Sequence, residues 1–262
     1  LLGDTLGAIA GEKAGIVKAG APVVSWPQES EAMAVIEAVA AERGCELVVP
    51  DFADLNVEAL AGAALRRFSW KGRPFETRLL GSYQPFNAAL ALTAADVLCG
   101  RGWAISDEAA ASGIASARWP GRFEVVGTSP LTIVDGGHNP QGAEALAASL
   151  ADLLGGEGCA SVDFALGVLA DKDYRAMVRA VMPWARSFSV YAPRSPRALA
   201  AEELAACVRK VLGEEGRADD VPVRVCSAPA DALSAARAAA GPEGCAVAFG
   251  TLYAIADLMA AL

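Results

Sequence analysis

A single histidine, His138, stands in the run Ile133-Val134-Asp135-Gly136-Gly137-His138-Asn139-Pro140. The run reads as a strand ending in an acid, a two-glycine turn, and a helix that starts at Pro140 with Asn139 as its cap. An anion could rest on that helix N-terminus, and Asp135 could accept hydrogen bonds from ribose hydroxyls. An ordinary strand–turn–helix junction has the same spacing, yet a lone histidine beside two glycines at the end of a strand is a poor core residue. A second group is Gly11-Glu12-Lys13-Ala14-Gly15-Ile16. There Lys13 and its acidic neighbour either form a solvated helix face, or the lysine is held near a metal or phosphate between small residues that allow close approach.

Two further groups carry polar chemistry. Gly81-Ser82-Tyr83-Gln84 with Asn87 and Arg122 offers amides suited to a purine edge and a guanidinium suited to a phosphate, although each residue singly could be a cap or a surface charge. Gly167-Val168-Leu169-Ala170-Asp171-Lys172-Asp173 and Phe249-Gly250-Thr251-Leu252-Tyr253 both fall where a strand should end, on the rim that Asp135 occupies. Three polar loops on one rim say more than any one of them. G-x-x-x-x-G-K-[ST], G-x-G-x-x-G and G-x-S-x-G do not occur, so a P-loop, a dinucleotide fingerprint and a hydrolase elbow find no support in this chain.

The elements that must position these groups can be read from the apolar spacing. Asp4 or Thr5 can cap a helix running to about Gly15, stopped by Gly20 and Pro22 before a short strand at 23–25. A helix over 29–43 and a strand over 46–49 follow, then a hairpin of 65–70 and 75–80 around Lys71-Gly72-Arg73-Pro74. Helices are expected at 85–98 and 106–117, and Trp119-Pro120-Gly121 marks the domain boundary, giving domains 1–118 and 119–262. Beyond it, strands at 123–126, 131–135, 162–168, 188–191, 223–226 and 246–249 alternate with helices near 141–154, 173–182, 200–213, 230–240 and 252–261. The alternation predicts an α/β fold with a mainly parallel, doubly wound sheet covered on both faces, whose ligands sit beyond the carboxyl ends of the strands.

Composition bounds the function. The chain has 262 residues and a net charge of −9, which offers no electrostatic footprint for nucleic acid or anionic lipid. Hydrophobic residues reach 54%, enough for a sizeable core. No apolar run is long enough for a membrane helix. The six cysteines contain no C-x-x-C pair, which points to reduced thiols in the cytoplasm rather than disulfides or a zinc site. One histidine excludes a multi-histidine metal centre within the chain.

In order along nearly the whole chain, these segments resemble the folylpolyglutamate synthase/dihydrofolate synthase family of the Mur ligase superfamily. The resemblance is carried by Leu2-Gly3-Asp4-Thr5-Leu6 through Glu12-Lys13-Ala14-Gly15-Ile16, Pro22-Val23-Val24 and Gly81-x-Tyr-Gln-x-x-Asn87-Ala88. It continues in Pro120-Gly121-Arg122-Phe123-Glu124, Asp135 to Pro140, Leu169-Ala170-Asp171-Lys172-Asp173 and Phe249-Gly250-Thr251-Leu252-Tyr253. It implies the end of a central ATPase domain followed by a Rossmann-like C-terminal domain, and an ATP- and magnesium-dependent amide ligase working through an acyl phosphate, with room for a second, monovalent cation. Dihydropteroate or a reduced folate and L-glutamate would be the substrates, and the protein a cytoplasmic monomer.

The same resemblance implies the site. Lys13 matches a lysine that becomes carbamylated and helps hold magnesium. Asn87 matches an adenine contact, Arg122 an ATP-phosphate contact and Asp135 a nucleotide contact. His138 and Lys172 would lie near the γ-phosphate or the incoming glutamate, and Thr251, where the family often has serine, near the substrate. The family's phosphate loop, its magnesium-binding glutamate and the histidine of an Asp-His pair belong upstream of Leu1, so the chain is expected to be a fragment that is inactive alone. The alternatives are a ligase of UDP-muramoyl peptides and a non-catalytic module binding a nucleotide or a partner.

Overall fold

A computed structural model describes residues 5–60, 64–155 and 162–262. The chain divides into two compact units, one of Leu1–Glu58, Arg67–Glu76 and Pro85–Ser116, the other of Ala59–Arg66, Thr77–Gln84 and Ala117–Leu262. Asp4, the alternative cap for the first helix, and Cys159 lie outside the described residues.

In the first unit, α1 (Leu6–Ala14) is capped by Thr5, whose hydroxyl accepts the Ala8 N–H at 3.1 Å, and it stops at Gly15. It packs on α2 (Ser30–Glu42), where the Gly7 N–H donates to Glu31 Oε1 at 2.9 Å. Two short parallel strands, β1 (Val23–Val24) and β2 (Leu47–Val48), follow these helices. A three-stranded sheet is formed by β3 (Leu55–Val57), β4 (Arg66–Trp70) and β5 (Arg73–Thr77). Strand β3 was not legible in the sequence, because three residues are too few to display a period. Lys71 and Gly72, with φ of 49° and 74°, form the tight turn between β4 and β5. Phe68, Trp70 and Phe75 bury one face of this sheet against Ala88, Ala89 and Leu92 of α3 (Gln84–Gly100), beside α4 (Asp107–Ser116).

The second unit holds a six-stranded sheet. Its strands are β6 (Glu124–Thr128), β7 (Leu131–Val134), β8 (Val162–Leu166), β9 (Ala185–Val190), β10 (Val223–Val225) and β11 (Cys245–Phe249). They lie in the order β10-β9-β8-β11-β7-β6, all parallel except β6, which runs antiparallel to β7. The chain leaves β7 through α5 (Pro140–Leu154) and continues by α6 (Tyr174–Val181) and α7 (Ala201–Glu214) to the β10 edge. It returns through α8 (Pro229–Ala240) to place β11 between β7 and β8. The order therefore reverses at the centre of the sheet, where ligands of open α/β sheets bind.

Alternating side chains explain the two covered faces. Along β11, Cys245, Val247 and Phe249 enter the core shared with α5, α6 and α7, while Ala246 and Ala248 enter the one shared with α8. Alanines on the α8 side let that helix lie close. On the other side the larger rings pack together, with Phe164 stacked on Phe188 at 5.4 Å and edge-on to Phe249 at 5.6 Å. The last helical stretch begins as a 3-10 turn at Leu252–Ala254, capped by the Thr251 hydroxyl, before α9 (Ile255–Met259).

Candidate active site

The site in the second unit is built from the carboxyl ends of β7, β11 and β8. Asp135 follows β7 and is only 3% exposed. Its Oδ2 accepts the Phe123 N–H at 2.8 Å and its Oδ1 accepts the Gly137 N–H at 2.6 Å. Burial pushes its carboxyl above the usual carboxylate range, while the two amides, Arg122 and His138 pull the other way. The arrangement holds Phe123, buried and left-handed at φ 48°, a conformation that side-chain-bearing residues rarely adopt. Asp135 therefore organises the junction between β6 and β7 as well as the glycine turn.

Gly136 has a packing reason. A Cβ there would sit 2.1 Å from Leu252 Cδ2, so the Leu252 side chain packs directly on the bare backbone of the β7 turn. The helix beyond is less open to an anion than its spacing indicates. Pro140 has no N–H, and the Gly142 N–H is taken by Asn139 Oδ1 at 2.8 Å. Arg122 is half-buried beside Asp135 and Tyr83, and burial together with the Asp135 charge pushes the Tyr83 hydroxyl far above its ordinary range. Arg122 also lines a cleft of about 250 Å³ with Arg78, Arg118 and the exposed Trp119.

His138, Lys172 and Thr251, from three separate loops, converge on one pocket of about 160 Å³. Leu169, Leu252, Tyr253 and Arg197 complete its wall. His138 Nδ1 lies 3.0 Å from the Gly136 carbonyl, which can only accept, so Nδ1 is the donor of this bond. Thr251 is 2% exposed, and its hydroxyl oxygen accepts the Tyr253 N–H at 3.2 Å. Gly250 makes that turn possible at φ 114°, where any Cβ would lie 2.3 Å from the Gly167 carbonyl oxygen. Arg197 is the wall residue that the sequence reading missed. Its signal was weak: an arginine that follows the second proline of the loop Pro193-Arg194-Ser195-Pro196-Arg197, beyond the end of β9.

In the first unit, Lys13 is exposed in the last turn of α1, and no ion pair engages it among the described residues. Ala14 beside it is buried, whereas the adjacent Gly11 faces open space. Asn87 is exposed in the first turn of α3. Among the described residues no three His, Cys, Asp or Glu side chains converge as metal ligands, so a magnesium ion here would need water, phosphate oxygens or a carbamylated Lys13 to complete its shell. No helix of the described residues is long and apolar enough to cross a membrane.

Comparison with known proteins agrees along this stretch. The family described as Mur ligase, glutamate ligase domain, matches residues 121–252. The folylpolyglutamate synthase of Lacticaseibacillus casei is 35% identical over 207 residues, 76% of this chain and 47% of that protein. The dihydrofolate synthase/folylpolyglutamate synthase of Bacillus subtilis is 35% identical over 210 residues, 78% of this chain and 48% of its own length. The chain thus spans about half the length of these relatives. Among solved structures, Mycobacterium tuberculosis folylpolyglutamate synthase complexed with ADP superposes with a TM-score of 0.79 at 28% identity, covering 100% of this chain and 60% of that one. Escherichia coli FolC in complex with DHPP and ADP gives 0.75 at 28% identity, covering 99% and 57%.

Proposed function

Because this chain belongs to the folylpolyglutamate synthase/dihydrofolate synthase family of the Mur ligases, we propose that the whole protein is an ATP-dependent ligase that joins L-glutamate to dihydropteroate or a reduced folate. The observation that carries this reading is the meeting of His138, Lys172 and Thr251 in one pocket at the centre of the sheet. ATP, when bound, supplies the phosphoryl group that turns the folate carboxylate into an acyl phosphate. The amino nitrogen of glutamate then bonds to the acyl carbon, the carbon–oxygen bond to phosphate breaks, and a proton leaves the nitrogen.

The chain's own residues orient these partners. His138, whose Nδ1 donates to the Gly136 carbonyl, offers Nε2 as the group to take the proton from the attacking amine. Lys172 presents a cation to a carboxylate of the amino acid, and Thr251 borders the same space. Arg122, whose guanidinium can grip two oxygens at once, serves the nucleotide phosphates. Asp135 contributes to nucleotide binding by holding the Phe123 and Gly137 backbone that sets this rim. Asn87 serves the adenine edge. Lys13, exposed on α1 and in no ion pair among the described residues, is accessible for carbamylation, which would turn a cation into a carboxylate for magnesium. Residues 1–118 then form the end of the ATP-binding domain and 119–262 the glutamate ligase domain.

A cytoplasmic enzyme fits the five described cysteines, all of them free thiols. The test is phosphate release by the protein made from its full reading frame. Release that needs ATP, magnesium, L-glutamate and either dihydropteroate or tetrahydrofolate is the expected result. ATP binding with no turnover under any of these conditions would favour a binding module instead.

A further inference from the structure

We propose that Arg197 is the specificity-determining residue of the amino-acid pocket, holding the side-chain carboxylate of the incoming diacid, and that Asp171 occupies its guanidinium until substrate arrives. The inference rests on the ligase reading above and deepens it at the same pocket.

The loop that carries Arg197 is fastened to the loop that carries Lys172. The Ala170 N–H donates to the Arg197 carbonyl at 2.9 Å, the Leu199 N–H donates to Val168 at 3.0 Å, and Leu169 and Ala198 form an antiparallel bridge between them. Ser195 Oγ accepts the Arg197 N–H at 3.2 Å. The backbone under Arg197 is therefore fixed relative to the pocket, while the side chain remains half exposed. A guanidinium so mounted can reorient at its tip without any movement of the fold.

Its present partner is a single oxygen. Arg197 Nη2 lies 2.6 Å from Asp171 Oδ2, and Lys172 Nζ lies 3.5 Å from the same atom. Asp171 itself does not line the pocket, and no other carboxylate does. The wall thus presents two cations and one imidazole. L-glutamate at neutral pH presents two carboxylates and one nitrogen that must lose protons before it attacks. The charges match one for one: Lys172 and Arg197 to the carboxylates, His138 to the nitrogen. The volume of about 160 Å³ lies well below the ~300 Å³ where pockets for drug-sized ligands begin, which suits a single amino acid.

An exposed ion pair such as Asp171–Arg197 is weak, because water solvates both partners in competition with each other. A substrate carboxylate meeting both prongs of the guanidinium replaces it readily. Arg197 in turn holds the Asp171 carboxyl below the usual range, so Asp171 is ionised and able to act as the stand-in at neutral pH. A merely structural pair has a different signature, because loss of either partner would then have the same consequence.

The experiment is steady-state kinetics on the full-length enzyme with L-glutamate and L-glutamine as alternative acceptors, ATP and folate being saturating. Arg197→Ala should raise the KM for L-glutamate about 10- to 100-fold, the loss of a charged hydrogen-bonded pair. It should leave the KM for ATP unchanged and shrink the preference for glutamate over glutamine at least about tenfold. Arg197→Lys should restore part of that preference. Asp171→Asn, which frees the guanidinium, should keep the preference and lower the KM for glutamate. A preference retained in Arg197→Ala, or lost equally in both variants, overturns the assignment while leaving the ligase reading intact. Absence of glutamate-dependent phosphate release by the wild-type protein overturns the ligase reading, and this assignment with it.

Discussion

Asp135 Oδ2 accepts the backbone N–H of Phe123 at 2.8 Å, so the acid just after β7 fixes the left-handed residue just before its antiparallel neighbour β6. The same carboxylate captures Gly137 through Oδ1. One buried side chain thereby sets the entry into the sheet, the glycine turn and the place of His138 three residues on.

Removal of that carboxylate should be costly. Asp135→Ala leaves two buried amide donors without acceptors, at about 1–3 kcal/mol each. The expected loss in unfolding free energy is about 2–5 kcal/mol, measured by denaturant titration. Asp135→Asn, which keeps one acceptor, should fall between wild type and alanine. A shift below about 0.5 kcal/mol for the alanine variant would place it with ordinary surface substitutions and contradict the role.

Arg122 tests the nucleotide side. In the full-length enzyme, Arg122→Ala should lower kcat/KM for ATP about 10- to 100-fold, the scale of a charged hydrogen bond. Arg122→Lys should also be impaired, because it keeps the charge and loses the fork. Steady-state constants equal to wild type in both variants would remove Arg122 from the mechanism.

Lys13 separates fold from chemistry. It is exposed and pairs with no acid among the described residues, so Lys13→Ala should leave the melting temperature within about 2 °C of wild type. Turnover by the full-length enzyme should nevertheless be abolished. Near-normal activity at ordinary bicarbonate levels would refute a carbamylated lysine.

Much of this was legible beforehand because each parallel strand is a short apolar run and each helix is amphipathic or alanine-rich. The rim loops were legible for a different reason: Asp135 and Thr251 lie within two residues of strand ends that are easily read, and Lys172 lies in the loop that leaves β8. Arg197 was not, since its link to Lys172 is made by backbone hydrogen bonds between two loops, which leave no trace in residue type. The twofold use of Asp135 was equally hidden. An acid at a strand end reads as a ligand, and only the burial and the two amide donors reveal a structural task. The return of Ala59–Arg66 and Thr77–Gln84 to the second unit was invisible for a related reason: Arg66 is 1% exposed and bonds Leu80 O at 2.7 Å and Asp152 at 2.5 Å, contacts distant in sequence.

The cysteines should divide by environment. Burial, with the Asp163 charge beside it, pushes the Cys245 thiol up to about 12, whereas Cys99 is exposed. At pH 8 only about one Cys245 in ten thousand is then a thiolate. Native protein treated with a thiol-reactive dye should label Cys99 within minutes and leave Cys245 silent until denaturant is added. Mass spectrometry of the digested protein reads both sites, and rapid native labelling of Cys245 would contradict its burial.

The central claim is that the pocket of His138 and Lys172 delivers glutamate to an activated folate carboxylate. Its most direct test is isotopic: radiolabelled L-glutamate, ATP, magnesium and dihydropteroate or tetrahydrofolate incubated with the full-length protein, wild type against Lys172→Ala. The expected result is label incorporated into the folate product in step with phosphate release, with Lys172→Ala needing at least about tenfold more glutamate for the same rate. Wild-type protein that binds ATP and releases no phosphate, or a Lys172→Ala variant with an unchanged glutamate requirement, would contradict the account.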